Sequence, residues 1–497
     1  MDELAALSDE DLWAQLPQTM GRERIEVLFE LGRRASQRED WDRATTLWQE
    51  IESSATELGE PLLVAEALRL QGGAAFWNAD LDAAADLYRR SARAYSDAGA
   101  SREAAAVLCL LADTYKSSND HERQLAAAVE AHDLAEFEEV DELAGDAAFM
   151  QAQALYFLDR ERESLHACGQ ARDYFRHSNR PDRVAAVDDF TIAVHLFLNN
   201  RDEALRLARG CLVLAQMSSS TFDDAYARLR LAEVLQARHD TEEALEQAEL
   251  AMADYRGRDD LIGVARCFQV KADVLFDAEQ LMPALRAYAD ARVLFEATGR
   301  DLDVLRCDAR TAMIQHWIGE YGHAAELNRR CALGYDVLAM HDAMRWAIVR
   351  LMDNLQQDGQ TQECLEVAED SLSAWSQESG VDEASHREFL GLYSLALEAA
   401  GRHDEATAVA AKVIAATPAR EASLGTAYCY EVRGRALLAS DEKAAGQDFS
   451  HAIALHLARG RVDRARELSA YFLPVDGESA VDARQAAMGV AMGLGHR

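Results

Sequence analysis

Proline is scarce, with six in 497 residues, and each falls at an expected helix start or junction: Pro17, Pro61, Pro181, Pro283, Pro418 and Pro474. A missing N–H costs little there, whereas in mid-helix each would cost ~3 kcal/mol. The eight cysteines show no C-x-x-C spacing and sit beside Ala and Leu in expected helices. They read as small buried apolar residues in a reducing compartment, which argues against a disulfide framework. Lysine occurs only at Lys116, Lys271, Lys412 and Lys443, so Arg carries nearly all the positive charge. No apolar run reaches the ~18 residues of a membrane span, and the stretch MDELAALSDEDLW is acidic where a signal peptide is basic. The expectation is a cytoplasmic protein with no membrane partner.

Positive charge is in deficit: 51 Lys and Arg stand against 87 Asp and Glu, a net −36 at pH 7. That excess repels nucleic-acid phosphates and anionic lipid headgroups and favours a partner of basic character; it also serves simply to keep a large surface soluble. Catalytic and phosphate-binding motifs are missing as well: no Walker loop, no G-x-G-x-x-G after a strand, no H-E-x-x-H and no G-x-S-x-G. His316 and His323 straddle a turn, and His451 and His456 fall on different helix faces, so neither pair is expected to hold a metal. Acidic pairs such as Glu242–Glu243 and Asp223–Asp224 read as caps and solvated faces. The chain reads as non-enzymatic, without cofactor or metal.

What is present is a repeat. From Ala225 to Tyr255 the chain reads as two amphipathic helices and a tight turn, with Ala232, Leu235 and Ala244 where the helices meet. One position at the start of each second helix is usually small: Ala44, Ala84, Gln124, Ser164, Ala204, Ala244, Ala284, Ala324, Cys364, Ala406 and Ala445. The step is about 40 residues. Twelve positions earlier stand Gly32, Gly72, Ala112, Ala152, Ala232, Ala272, Ala312 and Ser394. Antiparallel helices approach to ~8–10 Å only where such residues face each other. Four positions after the anchor comes a large knob in several units: Trp48, Tyr88, Tyr288 and Phe449. The chain therefore divides into a leading cap over residues 1–21, an array over 22–460, and a C-terminal capping helix and tail over 461–497. Ser8 with Asp11 caps the leading helix, and Leu12, Trp13 and Leu16 give its apolar face.

Together these residues resemble the tetratricopeptide repeat (TPR). The likeness is strongest in the units anchored at Ala44, Gln124, Ala244, Ala284, Ala324 and Ala406, for example over Phe268, Ala272, Leu281, Ala284, Tyr288 and Ala291. It departs at Ile192 and Met352, and its step exceeds the family's 34 residues by about six. The resemblance implies an all-α, right-handed α-solenoid (superhelix) of about eleven TPR-like helical hairpins with N- and C-terminal capping helices.

In such hairpins the first helices line a concave groove. Its expected partner-binding residues are Arg69, Trp77, Asp113, Lys116, Gln153, Tyr156, Glu233, Gln236, Asp273, Arg310, His316, Trp317, Arg350 and Asp353. Rings beside alternating charges suit an extended peptide or a partner helix. For Phe76, Trp77, Phe157 and Phe197, near helix ends, packing on the next repeat is the favoured reading over ligand contact. The function expected is a scaffold or regulatory adaptor holding a protein or peptide segment in the groove. The alternative is a sensor whose superhelical pitch changes on binding a peptide or small molecule. Self-association through the ends stays open, with Trp13 and the tail as candidate surfaces.

Overall fold

The computed structural model describes residues 4, 6–217, 224–376, 383–418, 422–469 and 471, which contain twenty-four α-helices and no strand. The chain falls into two compact units, Met1–Asp254 and Tyr255–Arg497.

The first unit opens with α1 (Asp9–Gln15) and a 3-10 turn, Leu16–Gln18. Ser8 and Asp11 form a reciprocal capping box on α1. Leu12 and Leu16 are buried against Ile25, Leu28, Leu47 and Trp48. Asp9 accepts from Arg38 and Arg34, whose guanidinium groups lower its pKa to about 2. Six hairpins follow. They pair α2 (Gly21–Gln37) with α3 (Trp41–Leu58), α4 (Pro61–Trp77) with α5 (Leu81–Asp97), and α6 (Ser101–Ser117) with α7 (His121–Phe137). Next come α8 (Asp141–Phe157) with α9 (Glu161–His177), α10 (Pro181–Phe197) with α11 (Arg201–Met217), and α12 (Asp224–Ala237) with α13 (Thr241–Arg256).

The second unit continues the pattern with α14 (Leu261–Asp277) and α15 (Leu281–Ala297), α16 (Asp301–Trp317) and α17 (Tyr321–Val337), then α18 (His341–Gln357) and α19 (Thr361–Ser376). Its last hairpins are α20 (Glu383–Ala399) with α21 (His403–Ala416) and α22 (Leu424–Leu437) with α23 (Glu442–Ala458), before α24 (Val462–Ser469). Pro474, Gly477 and the expected stripe of Met488, Val490 and Met492 lie outside the described residues.

The eleven small anchors are all buried, none more than 1% exposed. Two polar anchors are satisfied across the hairpin: Ser164 Oγ donates to the Ala152 carbonyl at 2.7 Å, and Cys364 Sγ to that of Met352 at 3.5 Å; Gln124 instead donates to the Met150 carbonyl of the next hairpin at 3.3 Å. The knobs fill what the first helix vacates. A methyl added to Gly32 would lie 2.5 Å from the Trp48 ring, and one on Gly72 would lie 2.8 Å from Tyr88.

Three-residue turns end one helix and start the next. Glu39, Gly59, Ala79, Gly99 and Asn119 hold left-handed φ, and the same beat recurs as far as Gly359. Behind each, an N–H reaches the carbonyl five residues back, as from Asp40 to Ala35, Asp80 to Ala75 and Asp120 to Tyr115. This is the Schellman closure of a helix C-terminus. The same Asp residues then cap the following helix, accepting from the N–H groups of Arg43, Ala83 and Arg123. In these three hairpins the turn from first to second helix is thus set by backbone geometry as much as by packing.

The arginine bias acquires a use here. Arginines tie the second helices of successive hairpins together through carboxylates, as in Arg90–Glu52 at 2.9 Å, Arg209–Glu243 at 2.9 Å and Arg329–Glu363 at 2.5 Å. A planar fork with five donors also reaches an acid on its own helix, as Arg329 does to Glu326 at 2.7 Å. A lysine ammonium lacks that divergent geometry.

Candidate partner-binding site

All fourteen residues expected from the sequence stand on first helices. In the first unit, Arg69 pairs with Glu66 at 2.5 Å, and Tyr95 donates to the same carboxylate at 2.7 Å. Arg69 is therefore engaged within its own hairpin. Trp77 is 68% exposed and stacks on Trp41, ring centroids 6.2 Å apart. Asp113, Lys116 and Gln153 are half-buried, and their side chains make no hydrogen bond or ion pair among the described residues. Tyr156 joins Phe157, Phe190 and Phe197 in edge-to-face contacts at 5.5, 5.7 and 5.5 Å. Phe157 and Phe197 stay largely exposed while making those contacts, so packing between repeats uses only part of each ring. Glu233 pairs with Arg230 at 2.5 Å, and Gln236 is half-buried.

In the second unit the residues converge. Asp273 accepts from the Tyr288 hydroxyl and lies 3.7 Å from Arg310, while burial raises its pKa. Trp317, 58% exposed, stacks on Phe276 at 4.9 Å. His316, Arg350 and Asp353 line one cavity of about 120 Å³ together with Ala312, Met313, Asn328 and Asn354. His316 Nδ1 donates to Asn354 Oδ1 at 2.8 Å, and the Asn354 amide donates to the Arg350 carbonyl at 2.7 Å. Buried Asn328 donates to the Ala324 carbonyl at 2.9 Å; its Oδ1 has no hydrogen-bond partner among the described residues. The Arg350 guanidinium is exposed and makes no ion pair or hydrogen bond among them.

Asp353 is not free. Arg461, from the turn after α23, donates to its Oδ2 at 2.5 Å, and Tyr428 on α22 donates to Oδ1 at 3.2 Å. Arg461 also donates to the Tyr428 oxygen at 2.8 Å. Burial works against the Arg461 charge, but Tyr428 and Asp353 outweigh it and raise its pKa. This contact spans 108 positions in sequence. It sits beside a close helix crossing, for a methyl on Gly391 of α20 would overlap the Gly425 carbonyl of α22.

Sequence reasoning missed Met313, Asn328, Asn354, Tyr428 and Arg461. For the first two a signal existed, since they stand forty positions after Asp273 and Tyr288. Nothing local marks the last two.

Among the described residues no cluster of His, Cys, Asp or Glu could hold a metal ion. The eight cysteines are buried, and none is in a disulfide. Burial pushes the thiols of Cys109, Cys307 and Cys364 up to about 12 and that of Cys168 to about 11, far from a nucleophilic thiolate. No helix among the described residues is long and apolar enough to cross a membrane.

Paired helices on a 40-residue step, small residues at most crossings and opposing knobs define the class: an all-α protein built of tetratricopeptide-type helical hairpins. No family model and no curated protein sequence matches the chain. Solved structures of similar fold include a Rap protein complexed with Competence and Sporulation Factor, 14% identical over 79% of this chain and 99% of its own, with a TM-score of 0.44. Aspartyl phosphate phosphatase F from Bacillus subtilis is 15% identical over 76% of this chain and 93% of its own, with a TM-score of 0.41. A signal transduction ATPase with a tetratricopeptide repeat sensor, from Pyrococcus horikoshii, is 12% identical over 74% of this chain and 54% of its own, with a TM-score of 0.40.

Proposed function

We propose that the chain is a cytoplasmic, non-enzymatic scaffold or regulatory adaptor that holds a protein or peptide segment on its first helices. The observation that carries this reading is the cavity bounded by His316, Arg350 and Asp353, beside exposed Trp317, which follows His316 on α16 and stacks on Phe276 of α14. A polar recess that fixes one group, beside rings that supply apolar area, is the arrangement by which extended segments are held in register. The net charge of −36 favours basic residues elsewhere along that segment. The recess, sized for one side chain, also suits the second reading, a sensor of a short peptide or small molecule.

The test compares wild type with Trp317→Ala in affinity purification from the native host, read by mass spectrometry. Loss of a specific polypeptide from the variant, at a nearly unchanged melting temperature, supports the reading. A polypeptide retained equally by both proteins, or a variant that melts far below wild type, overturns the role of these helices.

A further inference from the structure

The cavity has a structural explanation in the repeat itself. One hairpin earlier, Tyr288, Asp273 and Arg310 form a closed triad: the tyrosine donates to the aspartate, and the arginine lies 3.7 Å from it. Forty positions on, the same three places hold Asn328, Met313 and Arg350, and all three line the cavity. Replacing Tyr by Asn removes a ring and opens the space. Replacing Asp by Met removes the carboxylate and leaves the arginine without a partner among the described residues. The other acid at the cavity, Asp353, already has its counter-charge in Arg461 and a hydrogen bond from Tyr428. Within a strongly acidic chain, the lining of this recess thus carries one uncompensated cation, and buried Asn328 Oδ1 stands ready to accept.

We infer that the cavity is a carboxylate-binding site, in which Arg350 takes the acid group that Asp273 supplies one repeat earlier. The ligand's carboxylate forms charge-assisted hydrogen bonds with the guanidinium. Its stem fills the space of the missing ring, and in a ligand that carries a neighbouring N–H or O–H that group donates to Asn328 Oδ1. This rests on the binding function proposed above and names its anchor: an acidic side chain within an otherwise basic segment, or a free small carboxylic acid.

Two probes separate those sources: N-acetyl-L-aspartate N-methylamide, an acidic side chain in a peptide frame, and propionate. N-acetyl-L-asparagine N-methylamide is the uncharged control. Affinities come from NMR titration of the full chain. The inference expects an acid probe to bind wild type, the amide control to bind at least about tenfold more weakly, and Arg350→Gln to lose a similar factor. Tighter binding of the aspartate derivative than of propionate assigns the site to a peptide side chain, and the reverse order assigns it to a free acid. Met313→Asp restores the internal partner and Asn328→Tyr restores the ring; each should abolish binding, and Met313→Asp should raise the melting temperature. No binding by either acid, or equal binding by wild type and Arg350→Gln, overturns the inference. So does wild-type affinity in both refilled variants. These titrations need no protein partner, so their failure is distinct from the failure of the purification.

Discussion

A single missing methyl decides how closely two helices of a hairpin meet. Gly32 has a buried indole where its side chain would be. Gly210 lies mid-helix on α11, and a methyl there would have nothing within 4 Å. Gly32→Ala should therefore lose stability: overpacking costs about 1–3 kcal/mol against about 1 kcal/mol of helix propensity gained. Gly210→Ala should gain roughly 1 kcal/mol from propensity alone. Denaturant unfolding of both variants checks the pair. Equal shifts in the same direction would refute the packing account. The small-residue series made Gly32 legible as a contact, with Trp48 as its knob sixteen positions on. The unpaired state of Arg350 was not legible, because it depends on what a neighbouring helix withholds.

At the scale of the element, the turn geometry carries a testable cost. Left-handed φ favours glycine, yet Glu39, Ala79, Glu139, Glu279 and Ala339 adopt it. The Schellman bonds around each turn hold them there, as when Asp80 N–H reaches the Ala75 carbonyl at 3.0 Å. Ala79→Gly should stabilise by roughly 0.5–1 kcal/mol, the left-handed penalty less the extra freedom of an unfolded glycine. Gly99→Ala, with nothing within 4 Å, should destabilise by a similar amount through backbone strain alone. Thermal melts of the two variants moving in opposite directions would support this; a fall for Ala79→Gly would contradict it. The helix pairs were readable from composition, but this beat was not, since only some of its positions carry Gly or Asn.

Over the whole molecule, charge sets the dependence on conditions. Many arginines are tied to carboxylates, but 87 acids against 51 bases leave a large surplus with no counter-charge. Salt screens both the bridges and the surplus repulsion, and exposed bridges are individually worth little. The repulsion term therefore dominates, and the melting temperature at pH 7 should rise between about 10 mM and about 200 mM sodium chloride. Calorimetry at the two salt concentrations tests this, and a falling melting temperature would show that the arginine network outweighs the net charge.

Helix register, hairpin pairing and the first-helix location of the candidate residues follow from the sequence by itself. The physical reason is that small side chains at a fixed interval act between helices adjacent in the chain. Only the tertiary structure decided which of those residues are already satisfied. Asp353 is held by a group 108 positions away, and Arg350 has no partner among the described residues because Met stands for Asp at its neighbour's contact position. Both depend on distances between helices that a pattern along one chain does not encode.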